Sequence, residues 1–408
     1  MAEKKYDVII IGAGPAGSSA ARTLVAGGMD TLVIEKKKLP RQKICSGILC
    51  KWAVNFVNKN FGVIPENAYC QPNFLDGVAL HFPSQTNPVI IPSIEPITYI
   101  WRAPFDHFLA VGCGAEVKDG LMMVHIEMEA NEFKVHCKKF HNNGHATSVS
   151  FSSKYLVAAD GFSSRSVRRV MPGTYEGLPR MKCLQVHYGG EINLSPSHFN
   201  VFIYPNVGVY AWANIKDDHI HVGSSIIGNR KLISYHNNFV SLLEKQYGLK
   251  IKKTIFKEGM AMTIAAPLNR FILGKDNFLV AGDTAGFIHS GGEAISCALT
   301  SGDFAGQAIL MSEKNSQKAF HHYQSLIREE AELCLDQFNP LRIIKSAPID
   351  MDIKSVWKKY SLKEHYKMWK DLKAYGTQDN GVSDTGVYKV SKKNMIYHFL
   401  HRKYPITL

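Results

Sequence analysis

No stretch of about eighteen consecutive apolar residues occurs anywhere in the chain, so no helix is expected to span a membrane. None of the eight cysteines, at 45, 50, 70, 113, 137, 183, 297 and 334, falls in a Cys-x-x-Cys pair. The short spacings of zinc and iron–sulfur motifs are therefore missing and no metal is expected. Reduced thiols in this number fit a cytoplasmic protein. Only Met1 to Lys5 precede the first apolar run, which argues against a cleaved leader. Internal repeats, low-complexity tracts and nucleic-acid-binding motifs are also lacking. Acidic residues are scarce relative to basic ones, 35 against 48, for a net charge of +13. The imbalance is steepest at residues 341–408, where 14 Lys and Arg face 6 Asp and Glu, a net of +8. Without nucleic-acid motifs, the expected partner is a phosphate-bearing substrate or an anionic membrane surface, the alternative being a solvated basic tail. The 408 residues, 45% of them hydrophobic, are enough for two or three domains or one composite one.

What is present is concentrated first in residues 7–35. Asp7-Val8-Ile9-Ile10-Ile11 reads as a buried strand, and Gly12-Ala13-Gly14-Pro15-Ala16-Gly17 follows it directly. A helical stretch then leads to a second strand, Thr31-Leu32-Val33-Ile34, ending in Glu35. Each part has a physical reason. Gly12 permits the tight turn, Gly14 lets the backbone approach a pyrophosphate, and Gly17 allows the helix to pack on the strand. Pro15 and Ala16 open the helix, whose N-terminal amides and positive dipole end attract phosphate. Glu35 stands where a carboxylate accepts from a ribose hydroxyl, with Lys36 after it. The segment predicts a dinucleotide site. No later strand carries a second such turn, so a separate nicotinamide domain is not expected.

Further along, Lys36–Gly47 is polar, Ile48–Asn60 is helix-like, and residues 61–99 hold six prolines among short apolar runs, as strands and loops do. Arg102–Val111 reads as a helix. Asn142-Asn143-Gly144 between alternating runs predicts a hairpin. Residues 182–227 alternate like an antiparallel sheet, and Ser234–Tyr247 looks helical. Two buried strands end in an acid: Tyr155–Ala159 before Asp160-Gly161, and Phe278–Ala281 before Gly282-Asp283. Glu293–Met311 and Gln317–Phe338 predict long helices.

The fingerprint, the run Val157–Arg165 around Asp160-Gly161, the run Leu279–Gly286 around Gly282-Asp283, and Arg102 with Phe105-Asp106 together resemble the single-FAD flavoproteins of the p-hydroxybenzoate hydroxylase type. The resemblance covers about residues 1–330. It implies an α/β fold, in which a Rossmann-like FAD-binding domain (1–60, 100–175 and 265–340) is interrupted by an antiparallel-sheet substrate domain (61–99 and 176–264). The basic segment 341–408 is expected to be mostly helical. The resemblance also implies that Asp283 holds the ribityl chain, that Gly282 admits the pyrophosphate, and that Asp160 orders the dinucleotide loop. Arg102 would reach the phosphate or ribityl region, and the Val117 backbone would meet the adenine edge.

Within that superfamily, Pro40-Arg41-Gln42-Lys43-Ile44-Cys45-Ser46-Gly47 resembles the Pro-x-x-Lys-x-Cys-Gly-Gly motif of the geranylgeranyl reductase family, with Ser46 in place of the first glycine. The resemblance places Cys45 beside the flavin at the substrate cavity, with Arg41, Ser46 and Gly47 near the cofactor. Tyr210-Ala211-Trp212 matches the family's pocket-lining segment, though Asn214 and Ile215 replace Phe-Pro. The late run His289-Ser290-Gly291-Gly292-Glu293-Ala294-Ile295 lacks the usual proline. Gly291 and Gly292, before a long helix, offer amides to the negative edge of a reduced flavin, with Ala294 and Ile295 alongside. His289 could bond flavin or substrate.

The implied activity is saturation of carbon–carbon double bonds in an isoprenoid or similar apolar substrate by hydride from reduced FAD. The proton would come from Cys45, Tyr210 or water. Electrons would arrive from NADPH or a reduced carrier docking transiently. Alternatives are an aromatic hydroxylase, which shares the FAD motifs without explaining Lys43-Ile44-Cys45, a halogenase, or an electron-transfer flavoprotein. A halogenase should carry Trp-x-Trp-x-Ile-Pro where this chain has Tyr210-Ala211-Trp212-Ala213-Asn214-Ile215.

Overall fold

The computed structural model describes residues 4–83, 85–129, 132–141, 144–204, 206–228, 231–289, 292–314, 318–337 and 387–388. Gly291 and Ser290, the hairpin residues Asn142 and Asn143, and most of the basic segment 341–408 lie outside the described residues.

The first sheet contains five parallel strands in the order β17-β9-β1-β2-β6: Phe278–Val280 (β17), Ala146–Ala158 (β9), Lys4–Ile11 (β1), Thr31–Glu35 (β2) and Glu116–Asp119 (β6). Gly274–Lys275 (β16) adds to one edge. The hairpin of Leu121–Glu129 (β7) and Glu132–Phe140 (β8) pairs antiparallel onto β9. The turn expected at Asn142-Asn143-Gly144 does separate two antiparallel strands, with Phe140 opposite Ala146. Val8, Ile9 and Ile10 of β1 are fully buried. A strand covered on both faces needs such an unbroken apolar run.

Pro15–Ala26 (α1) starts with proline at its first position, where no amide is lost. It packs against Ile295–Lys314 (α6) at very short range. A Cβ on Gly302 would lie 2.1 Å from the Ala16 carbonyl oxygen, and one on Gly306 would lie 2.9 Å from Thr23 Cβ. Ser19 Oγ donates to the Leu299 carbonyl across the same contact, at 2.8 Å. Arg102–Gly112 (α3), Lys51–Asn60 (α2) and Arg165–Val170 (α4) complete this half. The single helix expected over 317–338 is two, Ala319–Leu326 (α7) and Arg328–Gln337 (α8). They break at Ile327, whose side chain is wholly buried.

The second sheet has eight strands in the order β14-β10-β13-β12-β11-β4-β5-β3. These are Lys250–Thr263 (β14), Arg180–Glu191 (β10), His219–Ile227 (β13), Tyr210–Lys216 (β12), His198–Phe202 (β11), Tyr69–His81 (β4), Val89–Ile100 (β5) and Ile48–Leu49 (β3). All neighbours are antiparallel except β11 and β4, which run parallel. Leu232–Tyr247 (α5) covers one face, burying His236, Phe239 and Leu243, and ends at Gly248 in the left-handed conformation (φ +63°). Phe271–Ile272 (β15) pairs with Val387–Tyr388 (β18).

Candidate functional site

Four strand ends of the first sheet open onto one cavity of about 940 Å³. Gly12 follows β1, Glu35 ends β2, Asp160 follows β9 and Asp283 follows β17, and all four line it. Parallel sheets put ligands at the carboxyl ends of their strands, where the chain direction of neighbouring connections diverges. From there the cavity runs past Lys43 and Cys45 to one face of the second sheet, where Met181, Tyr210, Trp212, Met260 and Met262 form the wall.

The glycine turn is built as its sequence suggests. Gly12 has φ +108°, and a Cβ there would sit 2.3 Å from the Ala159 carbonyl oxygen. A Cβ on Gly17 would sit 1.8 Å from the Gly12 carbonyl oxygen. Gly14 differs: its backbone is ordinary, and a Cβ would meet only Arg41 Nη2, at 3.6 Å. The space beside Gly14 belongs to the cavity. Gly14 also caps α1 without any side-chain acceptor for the free amides. A bare helix start facing an open cradle fits a pyrophosphate.

Buried charges hold the segment after β2 in place. Arg41 Nη1 donates to Asp106 at 2.9 Å, and Arg41 Nε lies 3.3 Å from Glu35. Arg102 grips the same Asp106 in a fork, at 2.8 and 3.0 Å. Asp106 is fully buried; burial works against its charge, but Arg102 and Arg41 hold its carboxyl below the usual range. Glu35 also accepts from the amides of Ala13 at 3.2 Å and Lys37 at 2.9 Å.

The two acid turns are stitched together. The Gly161 amide donates to Thr284 Oγ1 at 2.8 Å, and that hydroxyl donates back to the Gly161 carbonyl at 3.2 Å. Asp160 Oδ2 accepts from Arg165 and Ser166, while its buried Oδ1 has no partner within the protein. Burial raises the Asp160 carboxyl despite those bonds. Asp283 has Lys43 Nζ at 3.8 Å. Burial lowers the Lys43 ammonium, and Asp283 opposes that shift. An orphan carboxylate oxygen and a half-exposed acid at the mouth of the same cradle suit the hydroxyl-rich part of a dinucleotide.

Cys45 is half-buried on the cavity wall, and its Sγ accepts from the Gly47 amide at 3.4 Å. Gly47 lies behind the wall, where a Cβ would hit the Ile100 carbonyl oxygen at 2.0 Å and Lys216 Nζ at 2.5 Å. Lys216, pulled down to about 8 by burial, donates to the carbonyls of Ser46 and Ile100. Trp212 lies flat on Gly223 of β13, and its Nε1 donates to Gln185 at 3.2 Å. Burial raises the Tyr210 hydroxyl to about 12. On the same sheet His187 stacks on Phe256, which also lines the cavity, while His221 packs tilted against its ring, with centroids 3.7 Å apart in each case. Burial drives the His187 pKa down to about 3, so the ring is neutral.

Most residues singled out from sequence meet on this surface: Gly12, Gly14, Pro15, Ala16, Glu35, Lys36, Arg41, Cys45, Ser46, Arg102, Asp160, Gly161, Tyr210, Trp212, Asp283, Gly292, Ala294 and Ile295. Gly17, Gly47 and Gly282 stand just behind it, and Val117 lies in β6 beside Val33, off the wall. His289 is also off the wall and faces Glu293 and Glu330. Glu258 was not singled out. It reaches the cavity from edge strand β14, and burial pushes its carboxyl up. An isolated Glu in a Lys-rich strand gives no sequence signal.

Fold and cradle define an FAD-dependent oxidoreductase. Residues 6–228 match the pyridine nucleotide-disulphide oxidoreductase family model, and the chain belongs to that family. An uncharacterized Methanosarcina barkeri protein is 30% identical over 76% of each chain. The digeranylgeranylglycerophospholipid reductase of Methanococcus vannielii is 28% identical over 80% of this chain and 83% of its own. Among solved structures, a geranylgeranyl bacteriochlorophyll reductase-like protein from Thermoplasma acidophilum superposes with a TM-score of 0.68 at 22% identity, covering 91% of this chain and all of the other. A flavin-dependent brominase shares the fold at a TM-score of 0.63 and 19% identity, over 91% of this chain and 94% of its own.

Proposed function

We propose that this protein reduces carbon–carbon double bonds in polyprenyl chains borne on a glycerophospholipid, the substrate named for its reductase relatives. The observation that carries the reading is the continuity of one cavity from the dinucleotide cradle, past Cys45, to a wall of methionines and aromatics. Such a wall suits an apolar, flexible chain, because thioethers and ring faces adapt to its shape without demanding hydrogen bonds.

Bound FAD, reduced by NADPH or a protein carrier, supplies the hydride. Gly12, Gly14 and the start of α1 would hold the pyrophosphate, Asp283 and Asp160 would hold the hydroxyl-rich linker, and Gly292, Ala294 and Ile295 would line the flavin end of the cavity. Arg41, Arg102 and Asp106 fix the segment that presents Cys45. Cys45, half-buried on the cavity wall, delivers the proton to the second carbon, while burial makes the Tyr210 hydroxyl a weaker acid than usual. Tyr210 and Trp212 hold the chain against the ring. His289 acts behind the wall.

Among the described residues no helix is long and apolar enough to cross a membrane. The +8 segment 341–408, with Trp357, Tyr360, Tyr366, Trp369 and Tyr397, suits a peripheral contact with the inner, anionic face of the membrane that holds the substrate. The protein would thus be cytoplasmic, with no nucleic-acid partner.

The test is anaerobic. Dithionite-reduced protein is mixed with digeranylgeranylglycerophospholipid, flavin reoxidation is followed, and the lipid is weighed by mass spectrometry. Reoxidation with two hydrogens gained per double bond is expected. No reoxidation by the lipid under these conditions, with hydroxylation of an aromatic acid in a parallel reaction in air, would overturn the reading.

A further inference from the structure

Behind the cavity loop lies a second cluster. His289, Cys297, Glu330 and Cys334 each point one donor atom inward, and these four atoms lie within 4.8 Å of one another. They come from three places: the loop before α6, the first turn of α6, and one face of α8, where Glu330 and Cys334 are four residues apart. Both cysteines are fully buried and unbridged.

The separations are those of a coordination polyhedron. The two sulfurs are 3.8 Å apart, Cys334 Sγ is 3.8 Å from Glu330 Oε1, and His289 Nε2 is 3.6 Å from the same oxygen. A tetrahedral zinc ion with sulfur bonds of about 2.3 Å has a sulfur–sulfur edge of about 3.8 Å, and its mixed edges are roughly 3.3–3.6 Å. His289 Nε2, the inward atom, is buried and has no hydrogen-bond partner within the protein. The other ring nitrogen, Nδ1, lies 3.4 Å from Glu293 Oε2. Glu293 is itself fixed by the Ser296 amide at 2.8 Å and by the Ser296 hydroxyl. A carboxylate on the far nitrogen sets the tautomer that leaves Nε2 free to ligate.

We propose that His289, Cys297, Glu330 and Cys334 form a closed, four-coordinate structural zinc site. Two thiolates, one carboxylate and one neutral imidazole satisfy the ion, and binding releases the two thiol protons. No position remains for water or substrate, so the ion does no chemistry. It ties α8 to α6 and to the loop carrying Gly292, Ala294 and Ile295, and so fixes one wall of the cavity from behind. The expectation of no metal rested on short sequence spacings, whereas these ligands span residues 289–334 and meet only in the fold.

The full-length protein, purified under reducing conditions from zinc-supplemented medium, should hold close to one zinc per chain. Exchange with cobalt should give thiolate-to-metal charge transfer and the intense visible bands of a tetrahedral ion. Glu293→Gln should weaken zinc about tenfold and Cys334→Ser by more, while FAD content, read separately by flavin absorbance, persists in both. A wild-type protein without zinc or a cobalt spectrum, with both thiols titratable, would overturn the proposal. So would a Cys297–Cys334 disulfide in the reduced preparation, or an unchanged cobalt spectrum in Cys334→Ser. The wild-type spectrum decides the matter even where a variant misfolds.

Discussion

His236 makes the clearest single-residue prediction, because one cause acts on it. It lies on α5 against β10, 3% exposed, with Tyr188 Oη at the limit of contact, 3.5 Å, and Nδ1 unpartnered. Burial alone draws its pKa down to about 4. The native ring therefore stays neutral while the unfolded chain takes up a proton near pH 6.5. With the folded value depressed, its contribution is present above about pH 6.5 and is lost as pH falls toward about 4. Between about pH 6.5 and pH 5 this one ring should cost roughly 1–2 kcal/mol. Urea unfolding, followed by tryptophan fluorescence at both pH values, measures the loss. His236→Gln keeps a polar side chain of similar reach but cannot titrate. The wild type should lose roughly 1–2 kcal/mol more than the variant over that interval. His187 and the other buried histidines, and the raised carboxyls of Asp160 and Glu258, act on both proteins and cancel in the difference. Equal losses in the two proteins would refute the assignment of a neutral, desolvated ring.

Three further outcomes concern the site. Gly14→Val should fold with a stability change within about 1 kcal/mol, since its backbone is ordinary, yet retain at least about tenfold less FAD; Gly12→Ala, forced into φ +108° against a carbonyl, should lose about 1–3 kcal/mol, and equal flavin occupancy in both variants and the wild type would contradict the cradle. Cys45→Ser and Cys45→Ala should keep FAD and slow single-turnover reoxidation by substrate about 10²-fold; wild-type rates in both would remove the thiol from proton delivery. Gly223→Ala would place a Cβ 2.0 Å from the Trp212 ring. The displaced indole should enter the cavity and raise the substrate KM about tenfold without loss of FAD, and an unchanged KM would mean that Trp212 does not bound the substrate.

The βα turns were legible because they are local. A buried strand, a glycine or acid at its end and a helix start occupy about a dozen neighbouring residues, and backbone sterics dictate the order. Arg41 and Arg102 could be nominated from motifs, and Arg102 with Asp106 is an i,i+4 pair within α3, but the grip of Arg41 on the same carboxylate depends on the segment after β2 packing against that helix. The reach of Glu258, the packing of His187 on Phe256 and His221, and the meeting of Cys297 with Cys334 were not legible. Each depends on which strands or helices become neighbours, and no spacing encodes that. The break at Ile327 hides too: no glycine or proline marks it, and its side chain is buried in the core. His289 sat in a motif next to the cavity, and three residues on α6 and α8 decide where its ring turns.

The contact between α1 and α6 has a consequence for biosynthesis. The glycine turn leaves the ribosome well before the residues that press α1 into place, Gly302 and Gly306, which follow roughly three hundred residues later. One of the four strand ends around the cradle, that after β17, is likewise a late arrival. A nascent chain therefore displays its phosphate-binding sequence long before it owns a phosphate-binding site, and the flavin is captured only after α6 has been made. Stalled chains released before residue 278 should emerge colourless, and flavin retention by such a chain would show that the four earlier parallel strands suffice without β17 and α6.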